Sequence, residues 1–152
     1  MDNKYPNLPR MGEVEQHIST TLLSGVKLLY IPKKNSQRFF IQASYNVGSL
    51  WENDATKSGI SHLLEHMMFR GSQQHPSYNQ LAQAFDWLGG EWNGATGYEH
   101  TQYTYSGLMH NYSSAVELFA GFLKSPLLLD LEKERKIVAR ENISALRKNV
   151  LA

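Results

Sequence analysis

Strand-like and helix-like patterns are grouped along this chain, and their order limits the folds that it can adopt. Stretches rich in β-branched and aromatic residues at 17–23, 26–31 and 38–47 predict three strands, and Ser24-Gly25 joins the first two in a hairpin. Two helix-like stretches follow, then two strands, then two more helices. Grouped strands and grouped helices favour an α+β fold over an alternating parallel α/β fold. We therefore predict an antiparallel or mixed sheet with helices packed on one face.

The predicted helices have apolar residues at three- and four-residue steps. After the third strand, the predicted elements are a helix at 60–69, a helix from Ser77 to Gly89, strands at 91–96 and 101–106, and helices at 113–123 and 131–149. The apolar side of the first helix includes Ile60, Leu64 and Met67, and that of the last helix includes Leu131 and Val138. We expect these sides to face the core.

The composition is that of one folded domain. The chain has 152 residues, of which 41% are hydrophobic and 19% charged, close to the average for globular proteins. This length is enough to bury one core. The first 16 residues carry two prolines and are predicted to form an N-terminal arm, followed by one domain over 17–152.

Charge and cysteine content exclude several classes of protein. Lys and Arg total 15 and Asp and Glu total 14, so no overall basic field exists to hold nucleic acid. The absence of cysteine leaves histidines and carboxylates as the available metal ligands. No apolar run is long enough to span a bilayer, and the N-terminus has no apolar signal segment. We expect no membrane span and a cytoplasmic location.

The most specific chemical pattern is His62-Leu63-Leu64-Glu65-His66, within the first predicted helix. A four-residue step turns a helix by about 400°, so both imidazoles lie on one face and can reach one metal ion. The carboxylate of Glu65 lies beside that ion, where it can take a proton from a water molecule. This pattern is the HExxH arrangement of zinc peptidases in inverted order, HxxEH. The alternative is a solvated helix face that binds no metal.

A third metal ligand is expected on the last predicted helix. Catalytic zinc usually takes three protein ligands and leaves the fourth position to water. Glu134 and Glu141 are seven residues apart and therefore share one helix face. Either could bind the metal while the other supports the site. The alternative is a solvated, salt-bridged face, because Lys133, Arg135 and Lys136 lie beside these carboxylates.

Three sequence blocks resemble the pitrilysin/insulinase family of zinc peptidases, which includes the mitochondrial processing peptidases. The blocks are GSLWEN at 48–53, SGISHLLEHMMFRGS at 58–72 and LGGEWNGATGYEHTQYTY at 88–105. They are similar, in the same order, to that family's Gly-Ser-x-x-Glu loop, its HxxEH helix and its Gly-Gly-x-x-Asn-Ala-x-Thr stretch. Gly94 stands where the family usually has alanine, and Leu50 stands where arginine is frequent.

The resemblance implies a zinc-dependent metalloendopeptidase that hydrolyses extended peptides or small proteins. It implies one zinc ion per chain, held by His62, His66 and Glu141, with Glu65 as the general base. Glu141 stands at the interval after His66 at which the family carries its third ligand. Glu134 then matches the carboxylate that supports the site.

The resemblance also implies a peptide-binding strand and further partners. Asn93, Gly94 and Ala95 are similar to the family's edge strand, to which a peptide adds through backbone hydrogen bonds. The alternative is that these residues form an ordinary sheet edge that binds no peptide. Family members carry a longer first domain and further homologous domains, so we expect this chain to be incomplete at its C-terminal end. The alternative function is a non-catalytic or truncated subunit that binds peptide or pairs with a homologous subunit.

Overall fold

A computed structural model describes residues 17–22, 24–53 and 58–150, except for the side chains of 145–150. The elements are β1 (Ile18–Thr21), β2 (Lys27–Tyr30), β3 (Arg38–Tyr45), α1 (Ile60–Met68), α2 (Tyr78–Trp87), β4 (Glu91–Thr96), β5 (Thr101–Leu108), α3 (Tyr112–Lys124) and α4 (Leu131–Val150). Short 3-10 helices lie at Ser49–Trp51 and Met109–Asn111. The predicted α+β class and element order are confirmed, with element ends that differ by one or two residues.

The described chain divides into two compact units, one ending at Ser36 and the other beginning at Gln37. The first unit contains β1 and β2, paired antiparallel with Ile18 opposite Tyr30. Its turn is closed by a 2.9 Å hydrogen bond from the Leu22 N–H to the Val26 carbonyl. The predicted arm, 1–16, lies outside the described residues, and the predicted domain organisation stays a prediction.

The second unit contains an antiparallel three-stranded sheet in the order β3-β5-β4. The five described strands therefore form two sheets, whereas the sequence predicted one. Alternation of side chains identifies a strand but not the edge with which it pairs, and β1 and β2 pair with each other through a short local turn. The central strand β5 buries alternate residues, including Thr101, Tyr103 and Tyr105.

The core of the second unit lies between one face of this sheet and helices α1, α2 and α3. Its buried members are Met68, Leu81, Phe85, Tyr103, Tyr105, Ala115, Leu118, Phe119 and Phe122. Trp92 of β4 stacks on Phe85 with ring centroids 4.3 Å apart, and Phe122 meets Trp92 edge to face. Such aromatic pairs contribute beyond the area that they bury. Packing of helices on one face of the sheet agrees with the prediction.

Ser77 caps the N-terminus of α2: its hydroxyl accepts a hydrogen bond from the Gln80 N–H and donates one to Oε1 of the Gln80 side chain. Gly89 follows the C-cap of this helix, and its positive φ of 67° is a conformation that glycine adopts without strain. Among the described helices, none combines the length and the apolarity needed to cross a membrane.

The predicted apolar sides of α1 and α4 are only partly right. Met67 is buried as expected, but Ile60 and Leu64 are 55% and 48% exposed. Leu131 is also exposed, although Val138 is buried. The inward faces of both helices instead carry buried carboxylates, described below. Helical periodicity correctly predicted that these segments are helices. The face that each helix buries depends also on polar partners from other elements, such as Thr96 for Glu65 and Arg70 for Glu134.

Candidate metal centre

The helix that carries the HxxEH sequence is held at its N-terminus by Glu52. Gly59 occupies the N-cap position of α1 and has no side chain to cap it. The Glu52 carboxylate, from the GSLWEN block, accepts hydrogen bonds from the N–H groups of Gly59 at 2.6 Å and Ser61 at 2.8 Å. These bonds satisfy two amides that the helix leaves unpaired. Burial raises the pKa of Glu52, but the bonds from Ser61 and Gly59 outweigh it, and the pKa lies below its usual value.

The described residues bring His62, His66 and Glu141 together. The Nε2 atoms of His62 and His66 are 3.2 Å apart. Oε2 of Glu141 lies 3.5 Å from the first and 3.4 Å from the second. All three atoms therefore face one point between α1 and α4.

Their separations fit three corners of a zinc tetrahedron. Bonds of about 2.0–2.2 Å from zinc to nitrogen and oxygen place those corners about 3.3–3.6 Å apart. The three measured separations, 3.2, 3.4 and 3.5 Å, are close to this range. A tetrahedron with three protein corners keeps its fourth position for water or substrate.

Glu134 sets the orientation of His66. Its side chain is fully buried, and Oε2 lies 3.2 Å from Nδ1 of His66. An ionised carboxylate only accepts hydrogen bonds, so Nδ1 is the protonated nitrogen in the neutral imidazole. The lone pair of Nε2 is then directed at His62 and Glu141. A lone pair that faces a carboxylate oxygen and a second imidazole is favourable when a cation or a proton lies between them.

Glu65 is buried on the side of α1 that faces β4. Its Oε2 accepts a 2.6 Å hydrogen bond from the hydroxyl of Thr96, the last residue of β4. This bond fixes the carboxylate and leaves Oε1 as the second acceptor. The pKa of the neighbouring Tyr103 phenol lies above its usual value. Burial is the main cause, and the nearby charges of Glu65 and Tyr45 act in the same direction, so this phenol stays neutral.

The strand predicted to bind peptide lies at an edge of the described sheet. β4 pairs with β5 on one side only. Asn93 and Ala95 are exposed, and the Asn93 side chain accepts a hydrogen bond from the Gly94 N–H at 2.9 Å. Gly94 faces α1, where an added Cβ would lie 2.8 Å from Phe69 and 3.0 Å from Glu65. The structure thus places Gly94 against the general-base candidate, whereas Asn93 and Ala95 face away from the helices.

Comparison with known proteins assigns the family. The sequence pattern of the family described as Insulinase (Peptidase family M16) matches residues 30–151. The chain belongs to the insulinase family of peptidases. Insulin-degrading enzyme of Homo sapiens is 30% identical over 95% of this chain, a match that spans 15% of that enzyme's length. An uncharacterized zinc protease of Rickettsia felis is 36% identical over 62% of this chain and 23% of its own length.

Membership of the insulinase family also agrees with the fold. The crystal structure of a protease from Helicobacter pylori matches with a TM-score of 0.75 and 30% identity, over 84% of this chain and 31% of that chain. This insulinase-family chain therefore spans less than a third of the length of each of these relatives. The relatives named as zinc proteases agree with a family chemistry of zinc-dependent peptide hydrolysis.

The sequence predicted the ligand candidates, Glu65 and Glu134, but assigned no role to Glu52 or Arg70 and placed Thr96 only at the end of the peptide-binding strand. Each lies within one of the three sequence blocks of this insulinase-family chain. The position of these residues within the blocks was the one sign in the sequence that they belong to the site. What each contacts depends on tertiary structure, which local spacing does not give.

Proposed function

We propose that this chain carries the zinc centre of a metalloendopeptidase that hydrolyses extended peptides. The supporting observation is the convergence of His62, His66 and Glu141 on one point, with separations that suit zinc. Glu65 lies on the same helix beside them and is hydrogen bonded by Thr96. A purely structural zinc site closes all four positions with protein ligands, and the described cluster has three.

In the proposed reaction, Glu65 acts as general base. A zinc ion held by His62, His66 and Glu141 supplies Lewis acidity, which makes a water molecule more acidic and the scissile carbonyl more electrophilic. Glu65 accepts a proton as the water oxygen attacks the carbonyl carbon. The same carboxyl group then donates that proton to the leaving nitrogen as the C–N bond breaks. Glu134 orients His66, and the Thr96 hydroxyl orients Glu65.

We propose that the substrate adds to the free edge of β4 as a further antiparallel or parallel strand. Backbone hydrogen bonds to the segment Asn93, Gly94 and Ala95 provide affinity that does not depend strongly on substrate sequence. The Gly94 N–H donates a hydrogen bond to the Asn93 side chain, so a peptide carbonyl that binds this N–H must replace the Asn93 side chain. This arrangement suits extended peptides better than folded proteins.

The partners and location are also part of the proposal. Because the chain spans less than a third of its named relatives, we propose that additional homologous sequence, either in the same polypeptide or in a second subunit, covers the substrate. One relative is named mitochondrial-processing peptidase subunit beta, of Dictyostelium discoideum, at 30% identity. The cytoplasmic location stays a prediction from the sequence.

The first experiment measures the zinc-to-protein ratio of the purified chain after dialysis against metal-free buffer. We expect one zinc ion per chain, and a much lower ratio for Glu141→Gln. Glu132→Gln is the matched control, because Glu132 lies on the same helix but is exposed and pairs with Arg135. A folded chain that retains no zinc would contradict the proposal.

The second experiment separates catalysis from metal binding. Glu65→Gln keeps the shape of the side chain but removes the base. We expect it to retain zinc and to lose hydrolysis of an unstructured fluorogenic peptide. Hydrolysis at the unaltered rate would exclude Glu65 as the base.

A further inference from the structure

Arg70 connects the end of α1 with two other helices. It lies one helical turn after His66, and its N–H donates to the Met67 carbonyl at 3.1 Å. Nη2 lies 2.7 Å from Oε1 of Glu134 on α4. The guanidinium carbon lies 5.2 Å from the centroid of the Tyr78 ring, at the first residue of α2, which is a cation-π distance. The Arg70 side chain therefore contacts both α4 and α2, while its backbone is bonded to the end of α1.

Glu134 divides its two oxygens between Arg70 and His66. Oε2 faces Nδ1 of His66 at 3.2 Å, and Oε1 makes the charge contact with Arg70. A fully buried carboxylate without a positive neighbour is strongly unfavourable, so the cation of Arg70 offsets the cost of burial. The ion pair places Oε1 2.7 Å from the guanidinium, without the geometry of a hydrogen bond, so charge attraction keeps this oxygen on the side of Arg70.

We propose that Arg70 is a positioning residue for the metal centre, acting through Glu134 on His66. Arg70 holds Oε1 so that Oε2 accepts the hydrogen bond from Nδ1 of His66. This arrangement keeps Nδ1 of His66 on the side of Glu134 and Nε2 directed at His62 and Glu141. The effect on metal affinity rests on the proposed function, whereas the effect on the His66 tautomer exists without a metal.

A purely structural role makes a different prediction. If Arg70 acts only through its contact with Tyr78 of α2, its loss lowers the stability of the fold but affects metal binding independently of Glu134. If Arg70 acts through Glu134, its substitution has little further effect once Glu134 is changed. A double-mutant cycle distinguishes these cases.

The experiment measures zinc affinity by competition with a chromophoric chelator for the unaltered chain, Arg70→Met, Glu134→Gln and the double variant. We expect each single variant to bind zinc about 10- to 100-fold more weakly, the usual effect of losing a group that supports a ligand. We expect the double variant to match Glu134→Gln within about twofold. Arg70→Lys keeps the charge and should lie between the unaltered chain and Arg70→Met. Arg135→Met, in the exposed pair with Glu132, is the control and should have no effect.

Two results would overturn the inference: unchanged zinc affinity in Arg70→Met, or losses that multiply fully in the double variant. Nitrogen NMR of the histidine rings in the metal-free chain provides a second test, which is decisive even if Arg70→Met does not fold. We expect His66 to be protonated at Nδ1 in the unaltered chain and to show a mixture of tautomers in Arg70→Lys or Arg70→Met. A His66 that carries no proton on Nδ1 in the unaltered chain would overturn the inference. Failure of the unaltered chain to bind zinc, together with the expected tautomers, would contradict the proposed function alone.

Discussion

The hydroxyl of Thr96 lies 2.6 Å from Oε2 of Glu65 and donates a hydrogen bond to it. The bond joins the last residue of an edge strand to the helix with the two histidines, across 31 residues of sequence. A peptide that adds to β4 would therefore lie beside the strand that orients the proposed general base.

Replacing Thr96 with valine tests the role of this bond in catalysis. Valine has nearly the same shape but no hydroxyl, so Glu65 loses its fixed orientation. We expect kcat for peptide hydrolysis to fall about tenfold or more, the usual effect of losing a hydrogen bond to a charged group, with zinc content unchanged. Thr96→Ser retains the hydroxyl and should keep most of the rate. Equal rates for the valine variant and the unaltered chain would contradict the assignment.

Glu52 is expected to stabilise the fold in a pH-dependent manner. Its folded pKa lies below the ordinary 4.5, so the ionised form stabilises the folded state above that pH, and the contribution disappears as the pH falls through the folded pKa. Glu52→Gln should lower the free energy of unfolding by about 1–2 kcal/mol at neutral pH, as for loss of a helix cap. Urea titrations at several pH values should show this difference shrinking below about pH 5. A difference that does not depend on pH would exclude the charge as its cause.

Gly94 is expected to tolerate alanine poorly, although the family usually has alanine there. An added Cβ would lie 2.8 Å from Cε2 of Phe69 and 3.0 Å from Cγ of Glu65, so one of these groups must move. We expect Gly94→Ala to lower the free energy of unfolding by about 1–3 kcal/mol. Gly97→Ala is the control, because its nearest contact is 3.4 Å away. Equal stabilities of the two variants in denaturant titrations would show that α1 adjusts without cost.

The hydroxyl of Tyr105 is buried and makes no hydrogen bond to the part of the chain that the structure describes. Burial raises the pKa of this phenol above its usual value. Tyr105→Phe removes a polar group whose desolvation is uncompensated, so we expect the free energy of unfolding to rise by about 1 kcal/mol. Tyr112→Phe, at a site that is 42% exposed, should have almost no effect. Thermal denaturation of both variants provides the measurement, and a destabilised Tyr105→Phe would indicate a partner for the hydroxyl.

Zinc is expected to raise the stability of the chain by mass action. A ligand that binds only the folded state adds about 2.7 kcal/mol at a concentration 100 times its Kd. We expect Tm to rise with free zinc concentration in the unaltered chain and to rise much less in Glu141→Gln. Magnesium, which prefers octahedral sites of oxygen ligands, is the control ion and should cause little change. A Tm that does not depend on zinc would contradict a zinc site in the folded chain.

The sequence predicted those features that depend on local spacing. The four-residue step between His62 and His66 and the seven-residue step between Glu134 and Glu141 placed the right groups on the right helix faces. The resemblance assigned Glu141 to the metal and Glu134 to its support, and these roles stay predictions, although the distances are compatible with them.

Features that depend on contacts between distant segments could not be predicted in the same way. The sequence pattern of α1 includes Ile60 and Leu64 on its apolar side, yet both are exposed because the opposite face buries Glu65. Glu52 lies outside α1 yet caps it, by accepting a hydrogen bond from the N–H of Ser61, nine residues further along the chain. Such partners become visible only when the path of the intervening chain is known.

The wide separation in sequence between the two helices of the metal centre has a consequence for synthesis on the ribosome. The contact between His66 and Glu134 spans 68 residues, so a nascent chain that ends before α4 has both histidines and Glu65 but neither carboxylate of α4. Such a chain offers two of the three proposed ligands, and its His66 has no buried acceptor. The three proposed ligands are therefore assembled only after α4 has emerged and docked on α1.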